Sequence, residues 1–131
     1  MASAILGIGL DLEEVPRIRE AIERHGERFL ARVYTDRERA YVENKANRYE
    51  RYAARFAAKE AGMKALGTGW DRGVRWRDVE VVNDANGRPR LEFHGRAREH
   101  ADAQHCGAIH LSLSHSRGHA VAQVVLERGG E

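Results

Sequence analysis

Residues 47–69 read NRYERYAARFAAKEAGMKALGTG. The stretch is dominated by Ala, Arg, Glu, Lys, Leu and Met, all good helix formers. Gly67 is placed to end it. A long helix over about residues 47–66 follows. Successive helical residues turn by about 100°. Measured from Glu60, Phe56 and Tyr49 lie within roughly 40° on one side, Ala53 and Lys64 within roughly 40° on the other. Glu60 is therefore expected to point toward the core. A buried carboxylate is costly without a partner. Glu60 is either the structural partner of a nearby cation or part of a metal or active site.

A second isolated acid favours the site. Asp11 follows Ala4-Ile5-Leu6-Gly7-Ile8-Gly9-Leu10, a short apolar run that reads as a buried strand over about 4–11 with Asp11 at its end. Alone, Asp11 reads first as a strand-terminating turn residue. Gly7 and Gly9 leave room for a backbone or a ligand to come close. Asp11 and Glu60 together suggest a two-carboxylate site for a hard cation, with Mg²⁺ the natural candidate. Lys64 lies one turn beyond Glu60 on the same face.

Outward from these residues the chain alternates helix and hairpin signals. Pro16 suits the first turn of a helix to about His25, stopped by Gly26. A short helix covers about Glu27–Val33. Thr35-Asp36-Arg37-Glu38 is a capping box that opens a helix to about Asn44. After Gly67-Thr68-Gly69 comes a strand at Val79–Val82. Asn86-Gly87 turns it back through Arg90–Phe93. A short helix runs from Arg96 to about His105. A last hairpin pairs about Ala108–Ser114 with His119–Glu127, turning near Arg117-Gly118. The expected fold is α+β: a mostly antiparallel sheet packed against one long helix and several shorter ones.

Composition agrees. At 131 residues the chain is one domain, with its core over about 4–127. Hydrophobic residues make up 42% and charged ones 32%, as in soluble globular proteins. The single cysteine, Cys106, allows no internal disulfide and fits a reducing cytoplasm; it reads as a filler rather than a nucleophile. The first apolar run is short, has no basic residues before it and meets Asp11, Glu13 and Glu14. It reads as neither a signal peptide nor a membrane span. The net charge is +2. Basic residues crowd the first half, but acids are interleaved and no nucleic-acid motif accompanies them.

Ile8-Gly9-Leu10-Asp11 followed by Phe56-Ala57-Ala58-Lys59-Glu60-Ala61-Gly62-Met63-Lys64 resembles the 4'-phosphopantetheinyl transferases. That family shows Gly-x-Asp, a spacer, then Trp or Phe-x-x-Lys-Glu-x-x-x-Lys. Lys64–Gly69, His110–Ser116 and His119–Glu127 agree with it, so the resemblance runs from about Ile5 to Glu127. It implies transfer of the 4'-phosphopantetheine arm of coenzyme A to a serine of an apo acyl carrier protein, releasing adenosine 3',5'-bisphosphate. Asp11 and Glu60 would hold Mg²⁺, and Lys64 would meet the same phosphates or pair with Glu60. Glu60, or a metal-bound water that it orients, is the candidate general base. Arg55 and His115 match positions that contact coenzyme A. Ser116 could donate to a phosphate, and Gly67-Thr68 could approach the pantetheine chain. The family's basic pair before the long helix is displaced here to Lys45 and Arg48. Lys59 is assigned to phosphate or partner contacts, or to the surface. Arg17, Arg28 and Arg32 match positions that dock the acidic carrier. Short family members are homotrimers with sites between subunits. A non-catalytic coenzyme A or carrier-binding module and a basic nucleic-acid-binding domain are the competing readings. The intact Asp11, Glu60 and Lys64 argue against the first.

Overall fold

The computed structural model describes residues 3–129. Strand β1 (Ile5–Glu14) leads into three short helices, α1 (Val15–His25), α2 (Glu27–Val33) and α3 (Asp36–Val42), and then the long α4 (Arg48–Leu66). A 3-10 turn at Trp76–Asp78 precedes β2 (Val79–Asn83) and β3 (Pro89–Phe93). Helix α5 (Gly95–Ala103) connects to the final hairpin, β4 (Cys106–Ser116) and β5 (His119–Arg128).

The local signals do what their chemistry requires. Thr35 and Glu38 form the reciprocal capping box at the start of α3. Gly67 adopts φ 80°, the left-handed conformation that lets its N–H close the last turn of α4. Arg117 and Gly118 both have positive φ, which a tight two-residue hairpin between twisted strands demands.

The strands form two antiparallel sheets rather than one. The larger has the order β1-β5-β4, with Asp11 opposite Ala122 and Ala122 opposite Leu113. The smaller is the β2-β3 hairpin. Helix α4 runs between the large sheet, the small hairpin and the α1–α3 layer. Ala57, Ala61 and Met63 join a core with Val79, Leu91, Phe93, Val124 and Leu126. Tyr52, Ala53 and Ala54 join a second with Ile18, Ile22, Leu30, Val33 and Tyr34. A helix covered on all sides is buried all round, whatever its pattern.

Two expectations for β1 change. The strand does not stop at Asp11; pairing continues through Glu14 opposite His119, so Asp11 lies inside it. Nor is β1 buried on both faces. Its inner face packs on α4, but Ile8, Leu10 and Leu12 on the outer face are each more than half exposed. Alternation along the strand puts Gly7, Gly9, Asp11 and Glu13 on the inner face.

Candidate active site

The site exists because β1 and α4 touch backbone to backbone. A Cβ placed on Gly7 would lie 1.9 Å from the Ala65 carbonyl oxygen, and one on Gly9 would lie 1.8 Å from that of Ala61. Only glycine permits this approach. It brings Asp11, two residues beyond Gly9, against the turn of α4 that carries Glu60 and Lys64.

Lys64 Nζ donates to the Leu10 carbonyl at 2.9 Å and to Asp11 Oδ1 at 3.2 Å. The Lys64 side chain remains half exposed, while that of Asp11 is nearly buried. Asp11 Oδ2 is inaccessible and has no hydrogen-bond partner. Glu13 joins the cluster from the same strand face. Burial raises its carboxyl to about 8, helped by the Asp11 carboxyl within hydrogen-bonding reach and by the charges of Asp11 and Glu60, against a weaker opposing pull from Arg17. Glu60 is half-buried. Burial pushes its carboxyl up, as does Asp11, while the Trp70 indole and Lys64 favour its charged form. Asp11 raises the cost of ionising Glu60, and Asp11 Oδ2 lacks a partner; two such carboxylates beside one lysine are donors of the kind that suit a hard divalent cation. The residues present therefore fit Mg²⁺.

A different group, Glu80, Glu92 and His94, also has ligand atoms close together. Arg37 already bonds Glu80 at 2.7 Å and Glu92 at 3.0 Å. Burial would raise Glu80, but Arg37, Thr35 and His94 outweigh it and hold the carboxyl at about 2. This cluster is a satisfied clamp between α3 and the small hairpin.

The other anticipated residues separate. Lys59 is not on the surface: it is fully buried and bonds Glu38 Oε1 at 2.8 Å. Burial pushes its ammonium down, opposed by Glu38. Arg55 is buried as well. It donates to Asn83 Oδ1, lies 4.9 Å from the Tyr41 ring and leaves Nε without a partner. Five residues before Glu60, it faces about 140° away, so α4 does not bring it to the carboxylates. Arg48 bonds Glu43 at 2.6 Å and stacks on Tyr49 at 4.6 Å; Lys45 lies 4.5 Å from the Tyr41 ring. His115 and Ser116 line a cavity of about 390 Å³ with Arg19, Tyr49, Arg117 and His119. His115 also shares a cross-strand row with Ala120 and Glu13, two strand spacings or about 10 Å apart. Gly67 caps α4, and the Thr68 hydroxyl donates to the Gly69 carbonyl at 3.0 Å. Arg17, Arg28 and Arg32 are exposed, and none forms an ion pair among the described residues. Arg32 also lines a cavity of about 560 Å³ with Trp70 and Trp76.

Sequence reasoning passed over Glu13 and Trp70. Glu13 was findable: it is two residues from Asp11 on a strand, hence on the same face. Trp70 carried no such signal, because its stack on Trp76 depends on the path of a glycine-rich loop.

The chain belongs to the 4'-phosphopantetheinyl transferase superfamily, whose sequence profile matches residues 7–124. Within that superfamily its relatives are holo-[acyl-carrier-protein] synthases. The one from Solibacter usitatus is 55% identical over 123 residues, covering 94% of this chain and 98% of the relative. The structure from Neisseria meningitidis superposes with a TM-score of 0.85 at 34% identity, over 95% of this chain and 99% of that one. The structure from Bacillus anthracis, a complex with CoA (3',5'-ADP), gives 0.79 at 39% identity, over 96% and 99%.

Proposed function

We propose that this protein transfers the 4'-phosphopantetheine arm of coenzyme A to a serine hydroxyl of an apo acyl carrier protein. The serine oxygen forms a bond to the β-phosphorus. The bond from that phosphorus to the bridging oxygen breaks, and adenosine 3',5'-bisphosphate leaves. The serine proton passes to a base. The observation that carries this reading is the Asp11–Glu13–Glu60–Lys64 cluster, with Asp11 Oδ2 buried and unpartnered. The Bacillus anthracis relative, bound to CoA (3',5'-ADP), supports the substrate.

Asp11 and Glu60, with Glu13 beside them, would hold Mg²⁺, whose chemistry here is neutralisation of charge on the pyrophosphate oxygens. The chain's own residues do the rest. Lys64 is tethered at its base by α4 and half exposed at its tip, so its ammonium can turn from Asp11 to a phosphate oxygen. Glu60, or a water that it orients, would take the serine proton. His115 and Ser116, in their cavity with Arg19 and Arg117, offer donors for the nucleotide phosphate. Exposed Arg17, Arg28 and Arg32 present positive charge to an acidic carrier.

The bare outer face of β1 supports a homotrimer with sites between subunits. Ile8, Leu10 and Leu12 form an apolar row that nothing among the described residues covers. No helix among the described residues is long and apolar enough to cross a membrane. The proposed setting is the cytoplasm, in fatty-acid synthesis.

The test is intact-mass spectrometry of an apo acyl carrier protein incubated with this protein, coenzyme A and Mg²⁺. The expected gain is one phosphopantetheine arm, about 340 Da, lost on chelation and in Glu60→Ala. No gain with several acidic carriers, while coenzyme A still binds, would move the reading to a binding module.

A further inference from the structure

One residue from Glu60 lies a buried ion pair that the transfer chemistry does not use. Lys59 Nζ donates to Glu38 Oε1 at 2.8 Å, to the Val79 carbonyl at 2.5 Å and to the Trp76 carbonyl at 3.2 Å. Glu38 in turn accepts from the Thr35 N–H at 2.8 Å and the Val81 N–H at 2.9 Å. Both side chains are fully buried. Two residues thus join α3, α4, the 3-10 turn and β2.

The 3-10 turn carries this anchorage toward the carboxylates. The Trp76 ring stacks on Trp70 at 4.1 Å and on Phe56 at 4.7 Å. Phe56 is one helical turn before Glu60, so the aromatic stack lies against the stretch of α4 that carries Glu60. Between α4 and Trp76 runs a loop with Gly67, Gly69 and Gly73 all at positive φ. Its glycines leave its backbone little intrinsic preference. Its far end is fixed where Lys59 holds the Trp76 carbonyl.

We propose that Lys59, together with Glu38, is a positioning residue for the transfer reaction: it holds the Trp76 turn and, through the stack of Trp76 on Phe56 and Trp70, the stretch of α4 that carries Glu60. It is not a phosphate ligand. This rests on the transferase reading above, and it separates from that reading by experiment. Trp70 and Trp76 are the two tryptophans of the chain. The exciton couplet of their stacked indoles in circular dichroism reports the stack with no substrate present.

Lys59→Met is compared with the wild type by circular dichroism, thermal melting and steady-state kinetics at a temperature where both are folded. The expected result is loss of most of the couplet and a fall in kcat of about tenfold or more, with KM for coenzyme A within about threefold of wild type. An intact couplet with KM raised about tenfold would make Lys59 a phosphate ligand and overturn the proposal. An intact couplet with unchanged kcat would overturn it too. If Lys59→Met does not fold, Trp76→Leu keeps the ion pair and the carbonyl contact and removes only the stack. It should lower kcat by a similar factor at unchanged KM, and full turnover would refute the link. An inactive wild type with an intact couplet would sink the transferase reading and this role with it.

Discussion

Replacing Gly9 by alanine tests whether the contact between β1 and α4 builds the site. A Cβ there would lie 1.8 Å from the Ala61 oxygen, 2.7 Å from its carbonyl carbon and 2.9 Å from the Ala65 nitrogen. These are backbone atoms inside a helix, so none can swing aside. Real Cβ atoms essentially never come under 3.0 Å, so β1 must retreat by more than about 1 Å, a forced backbone shift of the overpacking kind. Asp11 is two residues beyond the clash and Glu60 one residue before Ala61, so the retreat separates the two carboxylates. Overpacking costs about 1–3 kcal/mol. The upper end applies because backbone meets backbone, and about 3 kcal/mol lowers the melting temperature of a chain this long by about 10 °C. Misplacing reacting groups by about 1 Å costs about a hundredfold in rate. Thermal melting and phosphopantetheine transfer are measured together, with turnover read well below the variant's melting point. A Gly9→Ala protein that melts with the wild type and turns over normally would refute the reasoning.

Four further outcomes are expected. Without divalent cation, Glu13 and Glu60 keep protons in the folded state that the unfolded chain has lost; stability should therefore fall as pH rises from about 4.5 toward about 8. Melting curves across that range show the slope, which Mg²⁺ or Glu13→Gln flattens; a level metal-free profile contradicts the cluster. Lys64→Ala, assayed well below its melting point, should lower kcat/KM for coenzyme A at least about tenfold. Undiminished kcat/KM would remove Lys64 from the site. Arg28→Ala with Arg32→Ala should lower kcat/KM for the carrier and weaken its salt dependence while kcat holds. A salt response identical to wild type would place docking elsewhere. Leu10→Asp should shift the protein to a smaller species in sedimentation, and a wild type that already sediments as a monomer would contradict self-association through β1.

The parts of the fold that could be read in advance are those decided within a few residues. The Thr35–Glu38 box, the glycine cap at Gly67 and the Arg117-Gly118 turn each satisfy local backbone groups, and each stands where its chemistry put it. Placement of Glu60 and Lys59 was not local. A helical wheel tells which residues share a face, not which face is covered. Helix α4 is covered almost everywhere: Gly7 and Gly9 press on Ala65 and Ala61, while Gly62 meets Val79 and Leu91. In such a helix the residue in the apolar stripe, Glu60, can open onto a site. The residue outside the stripe, Lys59, is the one sealed against Glu38.

The same argument turns the misreading of β1 into information. An apolar strand run says that both faces need cover, not that one chain supplies it. In β1 the small residues, Gly7 and Gly9, face the protein's own helix, and the large ones, Ile8, Leu10 and Leu12, face out. A lone chain would gain by placing its larger apolar residues inside, at about 25 cal/mol per Å² buried. The reversed order makes sense if the inner face is reserved for the close approach that brings Asp11 to Glu60. The outer face is then left as an apolar row open to solvent in the single chain. Close backbone contact inside and an exposed apolar row outside are therefore two consequences of one alternating pattern, and Asp11 lies on the strand that carries both.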